Sequence, residues 1–376
     1  MFNLYKKNFL SFNISDYSIE MISLAGSSDS PKVKVLGRRL LEKGIVEKGK
    51  ILNKEKLRNT IIELIKNPDF GLVKTKKIIL SLPESKTLFC EIFLPAGLEK
   101  EELVNFVKKE AEQTFPYLKE EIFLDFKINN NKVLLFAFPK KMADDFIEVF
   151  KSCGLEPIIF EPESEALSRS LVKKSKENIL IVDIGAENTE FIFFSGGFLK
   201  LTISIEIAGS SFTRALSENL KVSLEEAEKI KEDFGLSPER EQGKIFLVLQ
   251  KEAREIVNEI KKIEDYLRNK ENQIIERITL TGGSALLPYF SEYLIENLQK
   301  SVVLGSPLDS INTEELPNRE TFKTKSIIYS TVIGSALRGL EKKPERAGIN
   351  LISDKESQKN YLDIIKQGIK RKFKFY

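Results

Sequence analysis

Two stretches of this chain carry one pattern in one register. NFLSFNISDYSIEMISL (residues 8–24) lies over NILIVDIGAENTEFIFF (residues 178–194) without a gap, so Asn8 falls on Asn178, Leu10 on Leu180, Asn13 on Asp183, Ser15 on Gly185 and Glu20 on Glu190. In the second copy Asn178 to Val182 reads as a buried strand, Asp183-Ile184-Gly185 as a tight turn, and Glu190 to Phe194 as a second strand. Gly196-Gly197 then turns the chain into a third strand ending near Ile207. A β-hairpin unit repeated in register predicts a duplicated domain, with one loop from each half addressed to a shared ligand.

The second loop has the chemistry of a phosphate cradle. A glycine directly after a buried strand lets backbone approach a bulky anion, and Ala186, Asn188 and Thr189 behind Gly185 add N–H and O–H donors. Asp183, at the strand end, can hold magnesium through its waters, because a hard cation prefers carboxylates and keeps its hydration. The plain alternative for this segment alone is an ordinary hairpin with a turn glycine. A third piece, ERITLTGGSALLPYF, reads as a strand, a double-glycine turn at Gly282-Gly283 and a helix opening at Ser284, where a helix N-terminus meets a polar ligand.

Composition removes whole classes of chemistry. The chain has no histidine, which excludes Ser-His and Cys-His nucleophilic catalysis and most transition-metal sites. Its two cysteines, Cys90 and Cys153, stand in separate segments and suggest neither a disulfide framework nor a zinc site. A net charge of +3 is too near balance for nucleic acid to be the main partner. No apolar run approaches the ~20 residues of a membrane span, and the N-terminus lacks a signal-peptide core, so a cytoplasmic chain is expected.

Along the chain, Val33 to Leu41 is expected as a third strand, residues 51–67 as a helix with Leu57, Ile61, Leu64 and Ile65 on one face, and residues 76–83 as a buried strand. Residues 84–160 read β-α-β-β-α-β: a small α+β unit, or else part of the first domain. In the second half, Gly209 to Leu220 is a helix, and Ser223 to Phe234 another, with Ser223 and Glu226 spaced as a capping box. Residues 244–270 carry one apolar stripe, and 326–341 form an apolar helix with small residues at Gly334, Ser335 and Ala336, read as core.

This order of parts resembles the actin-like ATPase superfamily, and within it the PilM family of type IV pilus assembly proteins, related to FtsA. The likeness covers about residues 8–340 and rests on DIGAENTEF, IEIAGSSFTRALSENLKVSLEEAEKIKEDFG and LTGGSALLPYF, each weak alone and specific in this order. It implies an α/β, actin-like (ribonuclease H-like) duplicated fold with an inserted α+β subdomain. The expected parts are a first domain of residues 1–83 with 161–177, a protein-contact subdomain 84–160, a second domain 178–341, and a linker with basic tail, 342–376. It also implies ATP and Mg2+ as ligands. Asp183, Gly185, Ala186, Asn188 and Thr189 would form the second phosphate loop, with Asp183 reaching the metal through water. Gly282, Gly283 and Ser284 would form the adenosine turn. Glu228 and Lys231 would meet ribose and base, the bland alternative for those two being a solvated helix face.

The first loop departs from the family pattern. Where Asp-x-Gly is usual, with a lysine seven residues after the aspartate, this chain has Asn13, Ser15 and Glu20. Each change weakens a triphosphate site: no charge for magnesium, a restricted φ, and repulsion in place of attraction. Nucleotide binding through the second half with doubtful hydrolysis is therefore expected.

The resemblance also implies partners: the cytoplasmic peptide of a PilN-type inner-membrane protein and other pilus assembly proteins, met at the cytoplasmic face of the inner membrane. Ile349, Asn350, Leu351 and Ile352 look like that peptide, Ile-Asn-Leu-Leu-Pro, without its proline. Either the segment occupies the partner groove, in cis or in a neighbouring copy, or the likeness is accidental; four residues favour accident. The terminal KQGIKRKFKFY, with five basic residues, reads as a solvated terminus or a patch for an anionic membrane surface. Two other classes stay open: an FtsA-like membrane-associated filament, whose anchor helix would be short here, and a small-molecule kinase, for which no aspartate base is evident.

Overall fold

The computed structural model describes residues 9–95, 100–115, 121–129, 131–309, 311–317 and 319–352. The chain forms two compact units, one running to Glu165 and resuming at Ser335, the other spanning Ala166–Gly334.

The first unit begins with β1 (Leu10–Ile14), β2 (Ser18–Ser27) and β3 (Ser30–Leu40), then the two-residue strands β4 (Val46–Glu47) and β5 (Lys50–Ile51). Helix α1 (Lys54–Lys66) starts on Asn53, whose side chain accepts from the Lys56 N–H at 2.9 Å. Its Leu57, Ile61 and Leu64 are buried. Leu64 seats on β3 at Gly37, where a Cβ would come within 2.7 Å of its Cδ1. Next come β6 (Phe70–Gly71), β7 (Lys77–Leu82), β8 (Leu88–Phe93), α2 (Lys100–Thr114), β9 (Ile122–Asn129), β10 (Lys132–Pro139), α3 (Lys140–Ser152), β11 (Glu156–Pro162) and the short α4 (Glu163–Leu167).

Two larger sheets result. The first is six-stranded, in the order β11-β7-β1-β2-β3-β6; the second is three-stranded, β8-β10-β9. The small sheet has its own core, in which Leu103, Val107 and Ala111 of α2 and Phe115 just after it lie with Val133, Leu135 and Ala137 of β10. Helix α3 goes elsewhere: its Phe150 ring sits 5.1 Å from Phe12 of β1, and β11 pairs in parallel with β7. The last third of the 84–160 block is thus part of the six-stranded layer, because its apolar residues find the larger core.

In the second unit a single π-turn (Ser168–Val172) leads to β12 (Ile179–Ile184), β13 (Thr189–Ser195) and β14 (Phe198–Ile205). Then follow α5 (Gly209–Leu220), α6 (Leu224–Phe234), α7 (Lys244–Lys270), β15 (Arg277–Thr281), α8 (Phe290–Leu298), β16 (Val302–Leu304) and α9 (Arg319–Thr324); α10 (Ser330–Arg338) begins here and ends in the first unit. The sheet order is β14-β13-β12-β15-β16. Ile256, Ile260, Ile263 and Leu267 of α7 join Val182, Phe191 and Leu280 in one core. The capping box on α6 forms as its spacing requires, the Ser223 hydroxyl accepting from the Glu226 N–H and the Glu226 carboxylate from the Ser223 N–H.

The repeat holds at the level of single residue pairs. In the first unit Asn13 pairs with Glu20 and Ile14 with Ile19; in the second Asp183 pairs with Glu190 and Ile184 with Thr189. Each first strand also has a parallel neighbour on its other side, Asn13 opposite Ser81 and Asp183 opposite Thr281.

Candidate functional site

The loop after β12 is fixed by its carbonyl groups. Gly185 N–H donates back to the Asn188 carbonyl at 3.0 Å and closes the turn. The Gly185 carbonyl then accepts from the Gly209 N–H (3.1 Å) and the Ser284 hydroxyl (3.0 Å), and the Ala186 carbonyl from the Ser210 N–H (2.7 Å). In a trans peptide the C=O and N–H point in opposite directions. With both carbonyls turned toward the start of α5, the N–H groups of Ala186 and Glu187 face away from that helix. This is the arrangement an anion cradle needs.

The double-glycine turn sits directly against this loop. Gly282 has φ +84°, and a Cβ there would lie 2.4 Å from the Asp183 carboxylate and 2.5 Å from the Ile184 carbonyl. Only glycine fits. Gly209 is confined in the same way, its missing Cβ falling 2.5 Å from the Ser284 hydroxyl. The structure therefore brings Asp183, Gly185, Ala186, Asn188, Gly282, Gly283 and Ser284 together around one point. Thr189 is close by, but its buried hydroxyl donates to the Ile207 carbonyl at 2.6 Å and so braces the hairpin.

Ser284 does not open a helix. A single 3-10 turn spans Gly283–Leu286, and α8 starts only at Phe290. Pro288 is the reason: it lacks an N–H and forces Leu287 into an extended conformation (φ −58°, ψ 132°). Backbone groups, not a helix dipole, are what this turn offers, since the Ser284 hydroxyl is already donated to the Gly185 carbonyl.

Lys231 is not on a solvated face, whereas the Glu228 side chain is 37% exposed. Lys231 is 5% exposed, and its ammonium donates to Glu228 (2.7 Å), the Thr213 hydroxyl (2.9 Å) and the Gly209 carbonyl (3.2 Å). The pair ties α6 to the start of α5, and hence to the loop that α5 holds. Sequence reasoning missed Gly209, Ser210 and Thr213; the only local signal was the run of small residues between β14 and α5. Asp183 is the one carboxylate of the set at the strand end, and no cluster of three metal-ligating side chains occurs among the described residues. Magnesium would fit here only through water and phosphate oxygens, with Asp183 as the outer anchor.

The corresponding loop of the first unit is arranged differently. The same backbone bond forms, Ser15 N–H to the Ser18 carbonyl at 2.9 Å. The Ser15 hydroxyl, however, accepts from the N–H groups of Tyr17 (3.2 Å) and Ser18 (3.0 Å); Tyr17 is the counterpart of Glu187 in the second loop. Asp16 receives the N–H groups of Lys48 and Gly49. Glu20 is 2% exposed, pairs with Arg38 at 3.0 Å, and also accepts from Ser18 and Asn13. Burial pushes its carboxyl above the usual range while Arg38 pulls it down, and burial is the larger effect. Expected repulsion from Glu20 gives way to a neutralised internal pair.

Ile349, Asn350 and Leu351 are buried in the first unit, against β11. The preceding 342–347 stretch winds round the Arg338 guanidinium, which donates to the Pro344 carbonyl at 2.9 Å. The basic terminus from residue 366 lies outside the described residues; among the described residues no helix is long and apolar enough to cross a membrane.

Comparison with known proteins agrees with this architecture. The family described as "Type IV pilus assembly protein PilM" matches residues 11–340. The cell division protein FtsA of Bacillus subtilis (strain 168) is 26% identical over 203 residues, covering 48% of this chain and 44% of FtsA. The chain thus spans about half the length of the curated relatives it matches. Among solved structures, a PilM-PilN type IV pilus biogenesis complex superposes with TM-score 0.76 at 21% identity, over 89% of this chain and 98% of that one. MreB 5 of Spiroplasma citri, bound to AMPPNP, gives TM-score 0.53 at 14% identity over 88% and 95%. The fold is actin-like, and with the family match running through both hairpin repeats and the double-glycine turn, the chain belongs to the PilM family of type IV pilus assembly proteins.

Proposed function

We propose that this protein is a docking scaffold of type IV pilus assembly at the cytoplasmic face of the inner membrane. It receives the cytoplasmic peptide of a PilN-type partner, and binds Mg·ATP through the second unit with little or no turnover. The observation that carries the nucleotide half is the orientation of the loop after β12. Its carbonyls are held by Gly209, Ser210 and Ser284, leaving the Ala186 and Glu187 N–H groups turned the other way. Bound there, ATP brings phosphate charge for those donors, and magnesium brings the waters that Asp183 would accept. The docking half is supported by the family match and by the solved PilM-PilN complex of similar fold.

Weak turnover follows from the first unit. The first-unit loop supports this because its Ser15 hydroxyl already takes the Tyr17 and Ser18 N–H groups, and donors engaged internally do not stabilise developing charge. The test is calorimetric titration with Mg·ATP together with a steady-state phosphate-release assay, on wild type and Asp183→Ala. Binding that disappears in the variant, with no steady release in either, is expected. Steady hydrolysis by wild type that Asp183→Ala abolishes would contradict the weak-turnover reading.

A further inference from the structure

β7 and β15, the parallel neighbours of the two hairpin repeats, each run into a single 3-10 turn, Glu84–Lys86 in the first unit and Gly283–Leu286 in the second. Ser284 ties the second turn to the loop after β12, whereas Glu84 ties the first to α4. That tie is reciprocal: the Glu84 carboxylate accepts from the Ser164 N–H, and the Glu84 N–H donates to the Glu163 carboxylate, each at 2.9 Å. Glu84 is 3% exposed, and one of its carboxylate oxygens accepts no hydrogen bond among the described residues.

The small sheet meets α4 along the same seam. Lys127 of β9 pairs with Glu165 at 2.5 Å. Asp125, on the same face of that strand, accepts from the Asn350 N–H at 2.7 Å and the Phe126 N–H at 2.8 Å. The neighbouring cations are committed elsewhere, Lys127 to Glu165 and Arg338 to Glu161, while Lys86 on the turn itself is half-exposed. Burial pushes the Glu84 carboxyl up to about 7 and the Asp125 carboxyl up to about 6. Glu165 raises both; the bonds from Ser164 lower the first, and those from Asn350 and Phe126, with the Arg338 charge, lower the second.

We propose that this seam is a proton-operated latch between the small sheet and the six-stranded layer. Protons on Glu84 and Asp125 hold the 3-10 turn and β9 against α4 and Asn350, and their loss loosens that contact. A neutral carboxyl still accepts an N–H, so the hydrogen bonds survive protonation; what protonation removes is buried, uncompensated charge. Both carboxyls are raised in the closed seam relative to an opened, solvated one. Closure is therefore fully favoured below the ordinary carboxylate range and weakens as pH rises through about 6 and then about 7. Leu134, Phe136 and Phe138 of β10 are wholly buried, so the change is a loosening along the carboxylates and not departure of the sheet. The latch lies within the first unit and rests on neither nucleotide nor partner binding.

The test is amide hydrogen exchange of the full chain at pH 5.5 and pH 8.5, with rates corrected for the intrinsic effect of pH. In wild type, protection of the Ser164 and Asn350 amides should fall by about ten- to thirty-fold across that range, while the Ile256 amide of α7, in the other unit, keeps its protection. Glu84→Gln combined with Asp125→Asn keeps an acceptor at each position and removes both titrations, so the fall should shrink to less than about two-fold. Flat protection in wild type, a fall of equal size in the double variant, or a fall shared equally by Ile256 would overturn the proposal. Should the double variant fold poorly, a carboxyl-carbon NMR titration of wild type decides. Glu84 and Asp125 should titrate above the ordinary carboxylate range, and titration of both within it would overturn the latch.

Discussion

The loops after β1 and β12 share a strand register, a closing backbone bond and a parallel neighbour, yet they differ in what occupies their donors. At position 15 a serine side chain folds inward and takes two loop N–H groups; at the matching position 185 a glycine has no side chain to do so. That side chain is one of the differences between the two turns, beside the Glu20–Arg38 pair. The fold tolerates both because hydroxyl and anion offer the backbone equivalent acceptors. The first loop has kept its geometry while giving its donors to Ser15 and its charge to the Glu20–Arg38 pair.

The largest effect that would sharpen this contrast is expected at the double-glycine turn. Gly282→Val places a β-branched side chain at φ +84°, against Asp183 and Ile184, and should lower unfolding free energy by about 3 kcal/mol or more. Chemical denaturation reads this directly, and loss of Mg·ATP binding should accompany it. A destabilisation below about 1 kcal/mol would mean the turn is not confined as described.

Next in size is Arg38→Met, which strands the buried Glu20 carboxylate. Removing one partner of a buried pair costs about 3 kcal/mol, and the sign with pH follows from protonation. Glu20 titrates above the usual carboxylate range, so the unpaired charge is penalised at pH 8 and relieved as pH falls through its raised pKa. The variant should therefore lose most at pH 8 and recover part of the difference near pH 4, as melting curves across pH would show. A pH-independent loss would show that Arg38 matters for packing rather than charge.

The smallest effect is expected from Ser15→Gly. It releases the Tyr17 and Ser18 N–H groups, costs about 1 kcal/mol, and should leave nucleotide affinity within about two-fold of wild type. A large gain in affinity would show that Ser15 alone was silencing the first loop, without help from Glu20 and Arg38.

The gapless overlay of residues 8–24 on 178–194 set Asn13 on Asp183 and Glu20 on Glu190, and the two hairpins do share that register, because strand period and turn length propagate register over a few residues. What failed to be legible was long-range. Arg38 neutralises Glu20 from a different strand, and nothing near Glu20 in the sequence announces it. β11 pairs into the larger sheet and α3 packs on it through Phe150 against Phe12, contacts between distant segments. At Ser284 the reading gave too little weight to Pro288, four residues on, which holds the chain out of a helix until Phe290. Residues 349–351 pack against β11, a contact with a distant segment that the four-residue motif could not announce.

The central claim is that the loop after β12 is open to nucleotide because position 185 has no side chain. Gly185→Ser makes that loop chemically like the first one, at a position whose Cβ would meet only the Asn188 carbonyl, at 3.1 Å. Calorimetric titration of wild type and this variant with Mg·ATP is the direct test. The prediction is a wild type that binds and a variant at least ten-fold weaker, with unfolding free energy changed by no more than about 1 kcal/mol. A folded variant that binds Mg·ATP as tightly as wild type would contradict it.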